Sequence, residues 1–394
     1  MGKAIPGRKE LFYLPDEKCT MIIFGGTGDL AHRKLVPALY NLHRSGQLPD
    51  GFTMVGTGRK EKSDSKYRNE LKASVQKYSE ASYDTGQWES LASQMYYHAI
   101  DLEDASLYSR LKEALESRTR SRSGGNYLYF LALAPQLFPV VTENLHRQGM
   151  AASTSGWRRL MIEKPFGYDM ASAKRLNAKI TAAFGEECIY RIDHYLGKEM
   201  LQNILVIRFA NTVFEPLWNK NYIDNVQISA SESDGIGDRG RYYDLTGAMR
   251  DMVQSHLFQM LAVMAMEHPE GIDPETVRRE KLRLLTCVRL WPHGTAEEKV
   301  VFGQYRGFLD EKDISPRSQT ETFAALKLAI DNERWQGVPF YLRTGKKLQD
   351  KLAKIVIEFK APPDPYARVL PGSSIPEHNG LFNLLTPPIF FSAR

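Results

Sequence analysis

The stretch Thr20-Met21-Ile22-Ile23-Phe24-Gly25-Gly26-Thr27-Gly28-Asp29-Leu30 decides the fold. Five residues rich in β-formers run into a glycine turn, and the turn opens into a helical pattern carrying Leu30, Lys34, Leu35, Ala38 and Leu39. Pro37 stands inside that pattern and predicts a kink, because its ring removes a backbone donor and crowds the preceding turn. Strand, glycine turn and helix in this order open a βαβ unit. Gly25 and Gly28 then leave room for a pyrophosphate to approach backbone N–H groups at the positive end of the helix. The third glycine of the usual fingerprint is absent, so the turn alone fits a nucleotide site or an ordinary tight βα connection.

Working outward, apolar runs at 52–56, 126–133 and 159–162 read as further strands, with helical, charge-rich sequence between them. Strands alternating with helices imply a mostly parallel sheet, and that domain is expected to end near residue 190. Beyond it the texture changes. Residues 226–232, 300–305 and 354–359 alternate like strands with one wet face, which predicts an antiparallel sheet. The apolar pattern over 247–266 predicts a buried helix packed on it. The fold class is therefore α/β plus α+β: a Rossmann-type parallel-sheet domain over 1–190, then a larger domain over 191–394 with a mainly antiparallel sheet and packed helices.

Two domains suit a chain of 394 residues, which exceeds one ordinary core. Hydrophobic residues make up 42% and charged residues 25%, and no apolar run is long enough to span a bilayer, so a membrane role is excluded. The amino-terminal ten residues carry no signal-peptide core, and Gly2 matches a myristoylation start only loosely. The net charge of +5 is dispersed among acidic residues, which excludes a nucleic-acid stripe and suits an anionic small molecule. Cys19, Cys188 and Cys287 are odd in number and lack metal-ligand spacing, so no metal is expected. They read as buried thiols of a reducing, cytoplasmic compartment.

The chemistry concentrates in Arg191-Ile192-Asp193-His194-Tyr195-Leu196-Gly197-Lys198-Glu199. An imidazole, a phenol and an amine there can grip a dianionic phosphate while Asp193 orients a base elsewhere; equally, Asp193 can be the N-cap of a charged helix. His256, in Arg250-Asp251-Met252-Val253-Gln254-Ser255-His256, suits removal of a hydroxyl proton, or is a core histidine bonded to a carbonyl. Lys164 precedes Pro165 at the end of a strand, where doubly wound sheets place ligand-binding groups. Arg59, just past the second strand, fits a cation for a 2′-phosphate or a solvated arginine, and Lys34 and Lys60 share that ambiguity. Glu232 ends a half-wet strand, and Lys346 lies in the basic loop Arg343-Thr344-Gly345-Lys346-Lys347.

Residues 25–31, 163–167, 191–199 and 239–256, together with Asn332-Glu333-Arg334-Trp335 and Gly337-Val338-Pro339-Phe340, resemble the glucose-6-phosphate dehydrogenase family, in order from about Met21 to Phe359. The resemblance implies oxidation of glucose 6-phosphate to 6-phosphogluconolactone with reduction of NADP, the first step of the oxidative pentose phosphate pathway. It implies His256 as general base and Asp193 as the carboxylate orienting it. His194, Tyr195 and Lys198 would bind the phosphate, and Lys164, Glu232, Asp251, Lys346 and Lys351 would contact the sugar or frame its site. Gly25, Gly28, Lys34, Arg59 and Lys164 would bind NADP, with Pro165 a hinge. Arg241, Asp238 and Lys351 depart from the family pattern without touching the chemistry.

After Lys360 the likeness stops, and the chain ends in the apolar run Leu381-Phe382-Asn383-Leu384-Leu385-Thr386-Pro387-Pro388-Ile389-Phe390-Phe391. A sheet shortened at its C-terminal end predicts an unpaired edge and an apolar face. The family's assembly, a homodimer or dimer of dimers through that sheet, and its second, structural NADP both depend on that region. A shortened, catalytically idle binding protein is the alternative expectation.

Overall fold

The computed structural model describes residues 17–80, 82–123, 125–153, 156–271 and 273–360, together with the backbone strands 381–385 and 390–392. The features at residues 1–10, the proline- and glycine-bearing stretch after Lys360 and residues 386–389 of the tail lie outside the described residues. The chain divides into two compact units between Ile192 and Asp193.

The first unit is built on six parallel strands: β1 Thr20–Phe24, β2 Thr53–Gly58, β3 Met95–Ala99, β4 Tyr127–Leu131, β5 Arg158–Ile162 and β6 Ile189–Arg191. Their order in the sheet is β3-β2-β1-β4-β5-β6. All five residues of β1 are buried, which is why the strand reads as a continuous apolar run rather than an alternation. β3 escapes a sequence reading because its Met-Tyr-Tyr-His-Ala composition is amphipathic at a sheet edge, and β6 because it is three residues long. Pro37 lies inside a continuous helical run. A π-helical turn, Ala31–Leu35, leads without a break into the α-helix Val36–Arg44, so the helical register changes just before the residue that lacks an N–H.

The second unit holds a mixed, mainly antiparallel sheet of β7 Ile223–Ser231, β8 Val288–Leu290, β9 Val300–Gly303, β10 Phe323–Ile330, β11 Phe340–Gly345, β12 Leu352–Phe359, β13 Leu381–Leu385 and β14 Phe390–Ser392. The order is β14-β13-β12-β7-β11-β10-β8, with β9 also on β10. β7 and β11 alone run parallel among the described pairs. The inner face packs on the helix Glu199–Phe209, the π-helix Met249–Leu257 and the helix Phe258–Ala265, with Trp218, Ile228, Leu261, Leu326 and Ile355 in one core. The C-terminal carbonyls of helix Phe258–Ala265 are met by buried donors. Arg208 reaches Val263, Met264 and Met266, the Trp218 indole reaches Met264, and the Trp335 indole reaches Ala265.

Three expectations need correction. The sheet does not stop at β12, because β13 pairs with it antiparallel from Lys354↔Leu385 to Glu358↔Leu381 and β14 pairs with β13, so the edge strand on that side is β14. Of the three thiols only Cys19 is buried, Cys188 and Cys287 being partly exposed. Residues 247–266 are not one continuous α-helix. Gly247 (φ 63°, ψ 179°) breaks the run, and a π-helix follows it. Glu321 closes the break: its carbonyl accepts from Ala248 N and its carboxylate from Met249 N, 2.9 Å each.

That backbone conformation is open essentially to glycine alone, and a Cβ at position 247 would press on the Glu321 carboxylate. Gly247→Ala is therefore expected to lower the unfolding free energy by about 1–3 kcal/mol in urea titrations. Wild-type stability in that variant would contradict the account of the break.

Candidate active site

Asp193 opens the second unit as the N-cap of a 3₁₀ turn, His194–Gly197: its Oδ1 accepts from Tyr195 N at 2.9 Å. The same oxygen accepts from Nδ1 of His256 at 2.6 Å. Asp193 thus caps the turn and holds the His256 ring with one and the same oxygen. His256 is 1% exposed and lies on the π-helix five residues after the buried Asp251, one π-helical hydrogen-bonding interval. Its ring stacks on Tyr195 (centroids 4.2 Å, 19°) and meets His194 edge-on at 4.5 Å. With Nδ1–H given to the carboxylate, Nε2 is the basic nitrogen of the neutral ring. The ring partner that the structure shows for Nδ1 is the Asp193 carboxylate.

Electrostatics fit that division. Burial pushes the Asp193 carboxyl up, but the hydrogen bond from His256, the charge that ring carries when protonated, the Tyr195 amide and His194 together hold it below its ordinary value. The Lys198 ammonium stands 3.6 Å from the Tyr195 ring centroid. Burial lowers its pKa and Lys351 adds to the shift, against the opposing pull of Glu232 and Asp193. Tyr195 is raised by burial and then by Glu232, Asp193 and Asp251, so its hydroxyl stays a proton donor at neutral pH.

A second cluster forms where three strands share one end. The parallel register Gly345↔Ser231 brings Lys346 and Glu232, the next residues of β11 and β7, side by side, and β12 starts opposite Ser231, which puts Lys351 at the same end. Lys346, 4% exposed, pairs with Glu232, and its Nζ lies 3.9 Å from Asp251 Oδ2. Tyr242, which sequence reasoning did not single out, donates from its hydroxyl to Asp251 Oδ1 at 3.3 Å. Burial and the Asp251 charge push that phenol up to about 12. Its position in Tyr242-Tyr243-Asp244, close before the His256 helix, was the available signal.

The remaining candidates belong to the first unit. Gly25 has φ 86°, and a Cβ there would press on the Ala132 carbonyl, so the turn that joins β1 to its helix requires glycine. Gly28 N donates back to Gly25 O at 2.9 Å. Because the strands are parallel, the positions just past β1, β2 and β5 share one edge, and these are Gly25, Arg59 and Lys164. The order reverses between β1 and β4, where open α/β sheets form their ligand crevice. Arg59 and Lys34 are exposed and Lys164 is half-buried. Backbone amides at a glycine turn with a cation past β2 fit the phosphates of a dinucleotide.

Asp193, His194 and His256 also offer one ligand atom each within 4.8 Å of one another. An ion bound through Oδ1 and Nδ1 would have to replace the hydrogen bond they share.

Two family models match the chain: glucose-6-phosphate dehydrogenase, NAD binding domain, over residues 22–203, and glucose-6-phosphate dehydrogenase, C-terminal domain, over 205–385. The chain belongs to the glucose-6-phosphate dehydrogenase family. It is 45% identical over 354 residues to a glucose-6-phosphate 1-dehydrogenase of Bacillus subtilis, covering 87% of this chain and 71% of that protein. It is 43% identical to glucose-6-phosphate 1-dehydrogenase 2 of Mycobacterium tuberculosis, covering 88% and 69%. Among solved structures, the Mycobacterium avium glucose-6-phosphate 1-dehydrogenase superposes with a TM-score of 0.82 at 33% identity, over 94% of this chain and 78% of that one. A glucose-6-phosphate dehydrogenase in complex with its substrate gives 0.84 at 34%, over 95% and 76%.

The depressed Asp193 carboxyl carries a pH signature. A group whose pKa falls on folding stabilises the protein above its unfolded value, and that stability is lost as pH drops through the folded value. Wild type is expected to exceed Asp193→Asn in urea-unfolding stability by a margin that is full above pH 3.8 and shrinks below it. A margin unchanged on acidification to about pH 2 would mean that ionised Asp193 contributes nothing.

Proposed function

We propose that this chain catalyses the oxidation of D-glucose 6-phosphate at C1 to 6-phospho-D-glucono-1,5-lactone with NADP as acceptor, the first step of the oxidative pentose phosphate pathway. The observation that carries the reading is the 2.6 Å hydrogen bond between Asp193 and the buried His256, with a phosphate-gripping set next to it. The oxidised nicotinamide of NADP supplies the hydride acceptor when the coenzyme is bound. Nε2 of His256 takes the C1 hydroxyl proton as the C1–H bond gives up its hydride and the C1 carbonyl of the lactone forms. Asp193 holds the ring in the tautomer with Nδ1–H and stabilises the imidazolium that results. His194, Tyr195 and Lys198 hold the 6-phosphate by charge and hydrogen bonds. Glu232, Asp251, Lys346 and Lys351 serve the sugar hydroxyls, and Lys164 serves the ligands at its strand end.

Gly25 and Gly28 admit the pyrophosphate, and Arg59, with Lys34, meets its phosphates, the 2′-phosphate above all. Self-association through the second unit's sheet and a cytoplasmic location belong to the same reading. The idle-binder alternative leaned on the apolar C-terminal run, of which residues 381–385 pair as β13 with β12.

Purified protein given glucose 6-phosphate and NADP is expected to produce NADPH absorbance. His256→Asn is expected to lower kcat by about a thousandfold, within the range for losing a general base, while glucose 6-phosphate still binds in calorimetry. An inert wild type, or a His256→Asn variant with near-normal kcat, would refute the proposal.

A further inference from the structure

Two buried tyrosines link the glycine turn to the segment that carries Arg59. Tyr67, on the helix Asp64–Tyr78, donates from its hydroxyl to Gly26 O at 2.9 Å and covers Gly56, where any Cβ would strike its ring. Its ring lies 5.0 Å from that of Tyr97 on β3. Tyr97, 4% exposed, donates in turn to the carbonyl oxygen of Lys60 at 2.6 Å, and its own amide donates to Asp64 Oδ1 at 2.7 Å. Gly58 belongs to the same construction, for a Cβ there would sit 2.9 Å from both the Tyr97 hydroxyl and Thr27 Oγ1.

Between the end of β2 and Ser63, the N-cap of the helix Asp64–Tyr78, residues 59–62 have no regular structure, and their side chains include the exposed pair Arg59 and Lys60. An arginine discriminates a 2′-phosphate from a hydroxyl only if its backbone is held, because a bidentate guanidinium contact is geometrically demanding. The Tyr97 hydroxyl holds that backbone one residue beyond Arg59.

We infer that Tyr97 is a positioning residue for coenzyme choice: by anchoring the Lys60 carbonyl it presents Arg59 to the 2′-phosphate and so favours NADP over NAD. The inference rests on the reading of Arg59 given above. Tyr67, tied to the pyrophosphate turn that both coenzymes share, is indifferent to the 2′ substituent.

The test compares dissociation constants for NADP and NAD, by protein-fluorescence titration, across wild type, Tyr97→Phe, Tyr67→Phe, Arg59→Gln and the Tyr97→Phe/Arg59→Gln pair. Phenylalanine keeps the ring and removes only the hydroxyl. Tyr97→Phe is expected to weaken NADP about fivefold, the weight of one hydrogen bond, and to leave NAD within about twofold. Tyr67→Phe is expected to change both coenzymes in parallel. In the Arg59→Gln background, loss of the Tyr97 hydroxyl is expected to leave the NADP-to-NAD ratio where it was. An unaltered ratio in Arg59→Gln itself would overturn the Arg59 reading and the inference with it. A ratio collapsed in Arg59→Gln but untouched in Tyr97→Phe, or an equal loss of both coenzymes in Tyr97→Phe, would overturn the inference alone.

Discussion

The hydrogen bond between Asp193 and His256 joins residues 63 apart in sequence, and much of the second unit serves to make it. Neither partner can move without losing a second role. Asp193 also caps the 3₁₀ turn that presents His194 and Tyr195, and His256 is packed against both of those rings. In the buried setting of that pair the bond is electrostatically stronger than in water, and a donor left without it would carry the full desolvation cost. The helix bearing His256 is fixed at both ends to meet this demand. Gly247 and Glu321 define its start, while Arg208, Trp218 and Trp335 close the carbonyls at the far end of its continuation.

The parallel pairing of β7 with β11 is the second constraint. An antiparallel pair would send the residues that follow the two strands to opposite ends of the sheet. Parallel in register, Glu232 and Lys346 emerge together, and the buried ammonium of Lys346 offsets the desolvation of two carboxylates, Glu232 and Asp251. The first unit uses the same geometry throughout: parallel strands deliver Gly25, Arg59 and Lys164 to one edge.

Legibility in the sequence followed burial and locality. β1 was plain because both its faces are covered and its turn is spelled by glycines. The 191–199 run was plain because its chemistry is contiguous. β10 and β11 were missed; β10 alternates cleanly in its burial, but three of its four solvent-side positions are alanine or phenylalanine rather than polar residues. The π-helical register was invisible because one extra residue per turn leaves no compositional mark, and the meaning of Pro37 depended on it. Glu321, Tyr67 and Tyr97 act through partners about 40 to 70 residues away, so no local pattern could have announced them.

On the proposed reading, the two charge clusters around His256 also account for a base that lies outside the contiguous 191–199 run. A phosphate dianion calls for cations and donors, which His194, Tyr195 and Lys198 would provide. Sugar hydroxyls call for acceptors, which Glu232 and Asp251, paired with Lys346, would provide. One short segment cannot present both polarities to opposite ends of a ligand without its own charges pairing off. Here the cationic set comes from the 3₁₀ turn and the residue after it, and the acidic set from strand ends and the π-helix. Asp193, the carboxylate beside the cationic set, gives its Oδ1 to His256 Nδ1 and to the Tyr195 amide.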